Sequence, residues 1–147
     1  MRDSTALRAA VITEALSWIG TPFHDCAGVK GHGVDCAHLV WRCYQSIGVV
    51  PPGDPPAYKP QWFQHQLEEV FLQELKKHGA VSIAPTLARA GDVLMHKYGK
   101  HAAHGAIVID ERSMVHAYKA AKMVVRAERA EFEGRLDSAW TLFPEMQ

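Results

Sequence analysis

Apolar positions in the first half of the chain recur at intervals of three and four. Leu7, Val11, Ala15, Trp18 and Ile19 form one such stripe and predict a helix over 4–19, with Ser4 as its N-cap and Gly20-Thr21-Pro22 as its end. A glycine-bearing loop over 21–35 follows. Cys36, Leu39, Val40, Cys43, Tyr44 and Ile47 then predict a second helix over 36–47, stopped by Gly48. Phe63, Leu67, Val70, Phe71 and Leu75 predict a third over 61–78, closed by Gly79. Between these two helices, Pro51, Pro52, Pro55, Pro56 and Pro60 mark 49–60 as an irregular surface loop. From Val81 the period changes. Short apolar runs at 93–97, 103–109, 114–118, 123–127 and 139–143 predict five strands. Helices followed by a strand meander read as an α+β domain, with N-terminal helices packed on a five-stranded antiparallel sheet.

Composition narrows the function classes. The chain has 147 residues, enough for one domain over 1–147 with a substantial core. Its formal net charge is +0, so no electrostatic nucleic-acid binder is expected. No apolar run is long enough for a membrane span. The start, Met1-Arg2-Asp3-Ser4-Thr5, lacks the layout of a signal peptide, so synthesis in the cytoplasm without export by that route is expected. Cys26, Cys36 and Cys43 are too few and too odd for a disulfide framework, and no Cys-x-x-Cys pair points to zinc. Neither a metal nor a cofactor is expected.

The candidate chemistry centres on Cys36. It opens the second helix, in Gly33-Val34-Asp35-Cys36, and sits on the side facing the protein body. The positive end of a helix favours thiolate over thiol, and the thiolate is the nucleophile. His104 and His116 lie on strand-like segments far downstream. If the intervening hairpin is centred on Asp110, a good turn former, the two stand directly opposite on one face, with Cβ atoms about 4.5–5.5 Å apart. A four-residue loop at 110–113 would instead put them on opposite faces. In the first register Cys36 attacks a carbonyl carbon, His104 acts as base and then acid, and His116 orients His104. Helix N-terminal N–H groups, that of Cys36 included, stabilise the oxyanion.

At these residues the chain resembles the NlpC-type peptidoglycan peptidases, a papain-like group of cysteine hydrolases. The resemblance is carried in order by Trp18-Ile19-Gly20-Thr21-Pro22-Phe23, Gly33-Val34-Asp35-Cys36, Gly91-Asp92-Val93-Leu94, His104-Gly105-Ala106-Ile107-Val108-Ile109 and Val115-His116-Ala117. It implies a Cys36-His104-His116 triad and cleavage of peptidoglycan stem peptides between γ-D-glutamate and a diamino acid. Lys30-Gly31-His32-Gly33-Val34-Asp35-Cys36, and the proline-rich segment ending at Trp62, are similar to the branch carried by bacteriophage tails. That likeness implies delivery to the cell wall in a phage or phage-like tail, with tail proteins as partners. Where many members have Tyr and Ser-Gly or Leu-Gly, this chain has Phe23 and Ala37-His38. Phe23 and Asp35 are the implied substrate contacts, Asp35 to the free amine of a trimmed stem.

Blander readings stand beside these. Asp35 serves equally well as a helix cap. Cys43 is a core residue and Cys26 a free thiol. His38, about 200° around its helix from Cys36, is expected at the surface. His96 and His101 flank the proposed base. Arg126, Arg129 and Arg135 read as a solvated face. Two other functions use the same chain: an N-acetylmuramoyl-L-alanine amidase with the same triad, and a non-catalytic structural tail-tip protein.

Overall fold

A computed structural model describes residues 4–55, 64–98 and 101–144, without the side chains of 64–69 and 101–103. Helices α1 (Ser4–Ser17), α2 (Cys36–Ser46) and α3 (Gln64–Lys77) precede most of the strands. A small hairpin, β1 (Gly28–Val29) and β2 (Gly33–Val34), interrupts the loop before α2. The main sheet comprises β3 (Val81–Ile83), β4 (Val93–Tyr98), β5 (His101–Val108), β6 (Ser113–Tyr118), β7 (Met123–Glu128) and β8 (Leu136–Thr141). Their order is β3-β8-β4-β5-β6-β7, and every pairing is antiparallel.

The α+β architecture matches the expectation, but the sheet has six strands rather than five. The extra strand, β3, is only three residues long and pairs with β8 at the sheet edge. The last strand begins at Leu136, three residues before the predicted 139–143, and Leu142 and Phe143 pack into the core beyond its end. Phe63 and Trp62 lie outside the described residues, as does the 56–60 part of the proline-rich loop.

Alternation along the strands builds two apolar layers. Odd-numbered Val93, Met95, Ile107, Val115 and Ala117 face α1 and α2, where Val11, Ala15, Leu39, Val40, Cys43 and Tyr44 are all buried. Even-numbered Leu94, Ala106, Val108 and Met114 form a second cluster with Ala139 on the opposite face, covered by Phe132 from the 3₁₀ segment Arg129–Arg135. His104 and His116, also even-numbered, belong to this second face.

Two polar ties fix the helices. Arg8 of α1 is buried and meets Asp92, 1% exposed, at 2.9 Å, while donating to the Ala90 carbonyl at 2.8 Å. Tyr44 of α2 donates its hydroxyl to the Gly91 carbonyl. Gly91 has φ +92°, a conformation other residues rarely adopt, and any Cβ there would also press on Val11 and Arg8. The Gly91-Asp92 motif is therefore an anchoring point for the helices.

Candidate active site

Asp35 starts α2. Its backbone is extended (φ −108°, ψ 179°), and its Oδ1 accepts the His38 N–H at 2.9 Å as an N-cap. The same oxygen lies 2.9 Å from His38 Nδ1, and Oδ2 accepts the Cys26 N–H at 2.8 Å. The carboxylate thus joins the loop 21–35 to the helix start. His38 is not at the surface, as its helical phase predicts, but 8% exposed. The loop folds over that side of α2 and puts Gly28 against the ring, where any Cβ would come 2.7 Å from His38 Cδ2.

The sheet opens where the helix points at it. β5 and β6 pair at Ile107↔Val115 and Val108↔Met114, with no further pairing toward His104 among the described residues. Gly105 lies on the β6-facing side of the β5 ladder, and its freed N–H goes to the Cys36 sulfur. The N–H groups of Cys36 and Ala37 point there as well. Glycine at 105 has a packing cause. A Cβ would lie 3.2 Å and 3.3 Å from the Phe71 ring and 3.4 Å from Val40, where α3 and α2 close on β5.

The hairpin carrying the two histidines takes neither expected register. Ile109 donates to the Ser113 carbonyl, and the ladder is centred on Glu111, with a three-residue loop at 110–112. Asp110 causes this. Its Oδ1 accepts the N–H groups of Arg112 at 2.9 Å and Ser113 at 2.7 Å and closes the turn around itself. By this register Tyr118, not His116, falls opposite His104. The separation of His104 and His116 stays even, so they share a face as diagonal neighbours. Their rings meet, with His104 Nε2 2.8 Å from His116 Nδ1.

An aromatic cluster that the hydrophobic pattern does not reveal encloses the pair. His116 stacks on Tyr118 (centroids 4.8 Å apart, 12° between planes) and meets Phe132 edge-on at 5.0 Å. Tyr98 packs edge-on to His104 at 5.4 Å, and His96 lies directly across the β4–β5 ladder from it. Arg126, Arg129 and Arg135 do more than face solvent: the first two bind Asp110, and the third covers the Tyr98 ring.

Burial dominates the protonation states. It holds His104 well below the ordinary histidine value, with the neighbouring His116 and His96 adding to the effect. It lowers His116 and His96 to about 4 each. Cys36 keeps partial contact with solvent, yet burial, followed by the Asp35 charge, pushes its thiol up to about 12. The N–H groups of Gly105, Ala37 and Cys36 pull the other way and do not win. The expectation of a thiolate favoured by the helix end is therefore opposed at rest: burial favours a neutral Cys36 thiol, as it favours neutral imidazoles at His104 and His116.

Phe23 lies partly buried on the core, its N–H bound to the Lys122 carbonyl at 2.9 Å in the segment that ties the loop to β7. Cys43 is fully buried and Cys26 exposed. His101 lies outside the residues whose side chains are described. Among the described residues no three His, Cys, Asp or Glu side chains converge on a metal position, and no helix is long and apolar enough to cross a membrane.

A model of the NlpC/P60 family matches residues 20–136. A comparison with curated protein sequences gives no match. Among solved structures, the NlpC/p60 domain of the peptidoglycan hydrolase SagA superposes with a TM-score of 0.65 at 23% identity, covering 91% of this chain and 97% of that one. A Staphylococcus aureus protein of the NLP/P60 family, similar to a lipoprotein, gives 0.68 at 16% identity, and this chain spans only 43% of its length. RipD from Mycobacterium tuberculosis, a non-catalytic NlpC/p60 domain protein adapted to peptidoglycan binding, gives 0.60 at 16% identity, over 96% of this chain and 98% of that one.

Proposed function

Because the chain belongs to the NlpC/P60 family, a family of peptidoglycan hydrolases with some non-catalytic members, we propose that it is an active cysteine peptidase that cuts peptidoglycan stem peptides. One observation carries this reading. The sulfur of Cys36 takes the N–H of Gly105 in the gap between β5 and β6, and the next residue along β5, His104, has its Nε2 already bonded to His116.

In the proposed reaction Cys36 attacks the scissile carbonyl and its proton passes to His104 Nδ1, the ring nitrogen not held by His116. The N–H groups at the start of α2 stabilise the oxyanion. His104 then protonates the leaving amine, and water, deprotonated by the same imidazole, releases the acyl group. The bond between γ-D-glutamate and the diamino acid is the proposed point of cleavage. Asp35 and Phe23 are its proposed contacts on the amine side. His38 already takes part of the Asp35 carboxylate, so a substrate amine would share that group with the imidazole. Delivery in a phage or phage-like tail rests on the Lys30–Cys36 run and the proline-rich segment ending at Trp62, and is kept as a proposal.

A second reading, a binding domain without turnover, is favoured by this same occupation of Asp35 and by the phenylalanine at 23. Incubation of purified protein with sacculi, followed by mass analysis of the soluble fragments, separates the readings. Stem peptides trimmed after D-glutamate support the peptidase. Intact stems freed from the sugar support an amidase. Retention on sacculi without release supports the binding domain. Free stems cut no faster than amine-capped ones would remove Asp35 from substrate recognition.

A further inference from the structure

The His104–His116 hydrogen bond can run in two directions, and only one suits a base. If His104 Nε2–H donates to His116 Nδ1, then His104 Nδ1 keeps its lone pair for the thiol proton. If His116 donates instead, His104 Nδ1 carries the hydrogen and cannot accept another. The competent direction requires His116 to carry its proton on Nε2. That atom is buried and has no hydrogen-bond partner among the described residues. A buried N–H without an acceptor is costly, so a lone pair on Nε2, and with it the wrong tautomer, would be favoured unless an acceptor stands nearby.

His116, 0% exposed, forms part of the wall of a cavity of about 420 Å³ between β6, β7 and the 3₁₀ segment. The polar groups on that wall are few, and most are excluded by geometry. Tyr118 is stacked nearly parallel to the imidazole, so its hydroxyl lies out of the plane in which a ring N–H donates. The Ser113 hydroxyl donates to Asp110 and receives Arg126. Arg126 is a donor only. His116 pairs with Val125, which puts Glu128 on the other face of β7, where its carboxylate lies 3.8 Å from Arg112. Glu131 remains. It is exposed and precedes Phe132, whose ring is anchored edge-on against His116.

We propose that Glu131 is the positioning residue of this site, its exposed side chain turning in over the cavity to accept the His116 Nε2–H and thereby setting the tautomers of both imidazoles. The inference rests on His104 acting as the base. It extends the relay through the sheet to the side away from the helices, so that a surface carboxylate behind the site controls whether the thiol has a base to attack with. His96, His104, Tyr118, Arg126 and Glu128 are the other titratable or charged groups around His116.

The test reads tautomers directly. Protein labelled with ¹⁵N-histidine gives two-bond ¹H–¹⁵N patterns that distinguish Nδ1–H from Nε2–H rings, and His104→Gln and His116→Gln assign the signals. At neutral pH both rings should carry Nε2–H in the wild type. Glu131→Ala should move His116 toward the Nδ1–H or mixed pattern and lower kcat on stem peptides about tenfold with KM unchanged, as loss of an outer partner of a functional histidine does. Glu131→Gln, which retains an acceptor oxygen, should stay near wild type in both readouts. Glu133→Ala removes an exposed charge from the same segment and should change neither. An unchanged imidazole pattern in Glu131→Ala, with active wild type, overturns the inference. Wild type without turnover overturns the peptidase reading, while the ¹⁵N pattern still decides the role of Glu131.

Discussion

His104 Nε2 lies 2.8 Å from His116 Nδ1, although no backbone pairing joins their strands at that level. The contact is made diagonally, by side chains reaching across strands that have begun to separate. Separation and contact are linked: the gap that admits the Cys36 sulfur to the Gly105 N–H is bridged by the two imidazoles.

Cys36→Ala should leave the fold intact and abolish release of fragments from sacculi, since no other group there can form the acyl-enzyme. Cys26→Ser should remain active. Cys43→Ser should remain active but lose roughly 1–3 kcal/mol in urea unfolding, from a hydroxyl placed in the core. With the Cys36 thiol raised to about 12, its alkylation by iodoacetamide should keep accelerating with pH above neutrality. A plateau near pH 7 would instead reveal a stable thiolate–imidazolium pair.

Acid should weaken the protein before it reaches the carboxylates. His96 and His116 are lowered from 6.5 to about 4, and His104 is also held well below 6.5, each mainly by burial. The unfolded chain therefore takes up these protons first. For His96 and His116 the stabilising contribution is fully present above about pH 6.5 and is lost as pH falls through about 4, by roughly 3 kcal/mol each when fully charged. Tm measured by calorimetry should fall steadily across that window. The acid limb of kcat/KM should lie below pH 6.5, because His104 stays unprotonated there.

Arg8→Ala would leave Asp92 buried without its 2.9 Å partner. Removing one member of a buried pair costs roughly 3–5 kcal/mol. Urea unfolding should show a loss of that order. Little or no loss would mean that Asp92 is satisfied by its other bond, to the Arg89 N–H at 3.0 Å.

Gly105→Ala should test whether His104 is positioned by packing. The new methyl would meet Phe71 at 3.2 Å and Val40 at 3.4 Å, so β5 or the helices must shift. A cost of roughly 1–3 kcal/mol is expected from overpacking. The activity loss should exceed what the lowered stability explains at temperatures where the variant is folded. Turnover matching wild type under those conditions would show that His104 tolerates displacement.

The helical half was legible because three stripes at helical spacing, each closed by a glycine, leave little choice of element. The family was legible too, whereas the meeting of His104 and His116 on one face was one of two registers that the sequence left open. What escaped depends on contacts between distant segments. Val81-Ser82-Ile83 is too short to announce a strand and exists because β8 pairs with it. Leu136-Asp137-Ser138 looks polar, yet Leu136 covers the second core. His38 is buried by a loop that its own helix cannot foresee. The turn register was set by a side chain, Asp110, that folds back on its own backbone. The state of the thiol depends on how much protein surrounds it, which no motif records.

β5 and β6 make a fork, and Asp110 is its pivot. At the closed end its carboxylate binds Arg112, Ser113 and Arg126, while its carbonyl receives Arg129 at 3.1 Å. The open end holds the sulfur on one side and the imidazoles between the tines. A rigid pivot sets the spread of the tines, and the spread sets how far the sulfur stands from the imidazoles. Wear at an exposed surface turn would thus be felt as slackness at the sulfur.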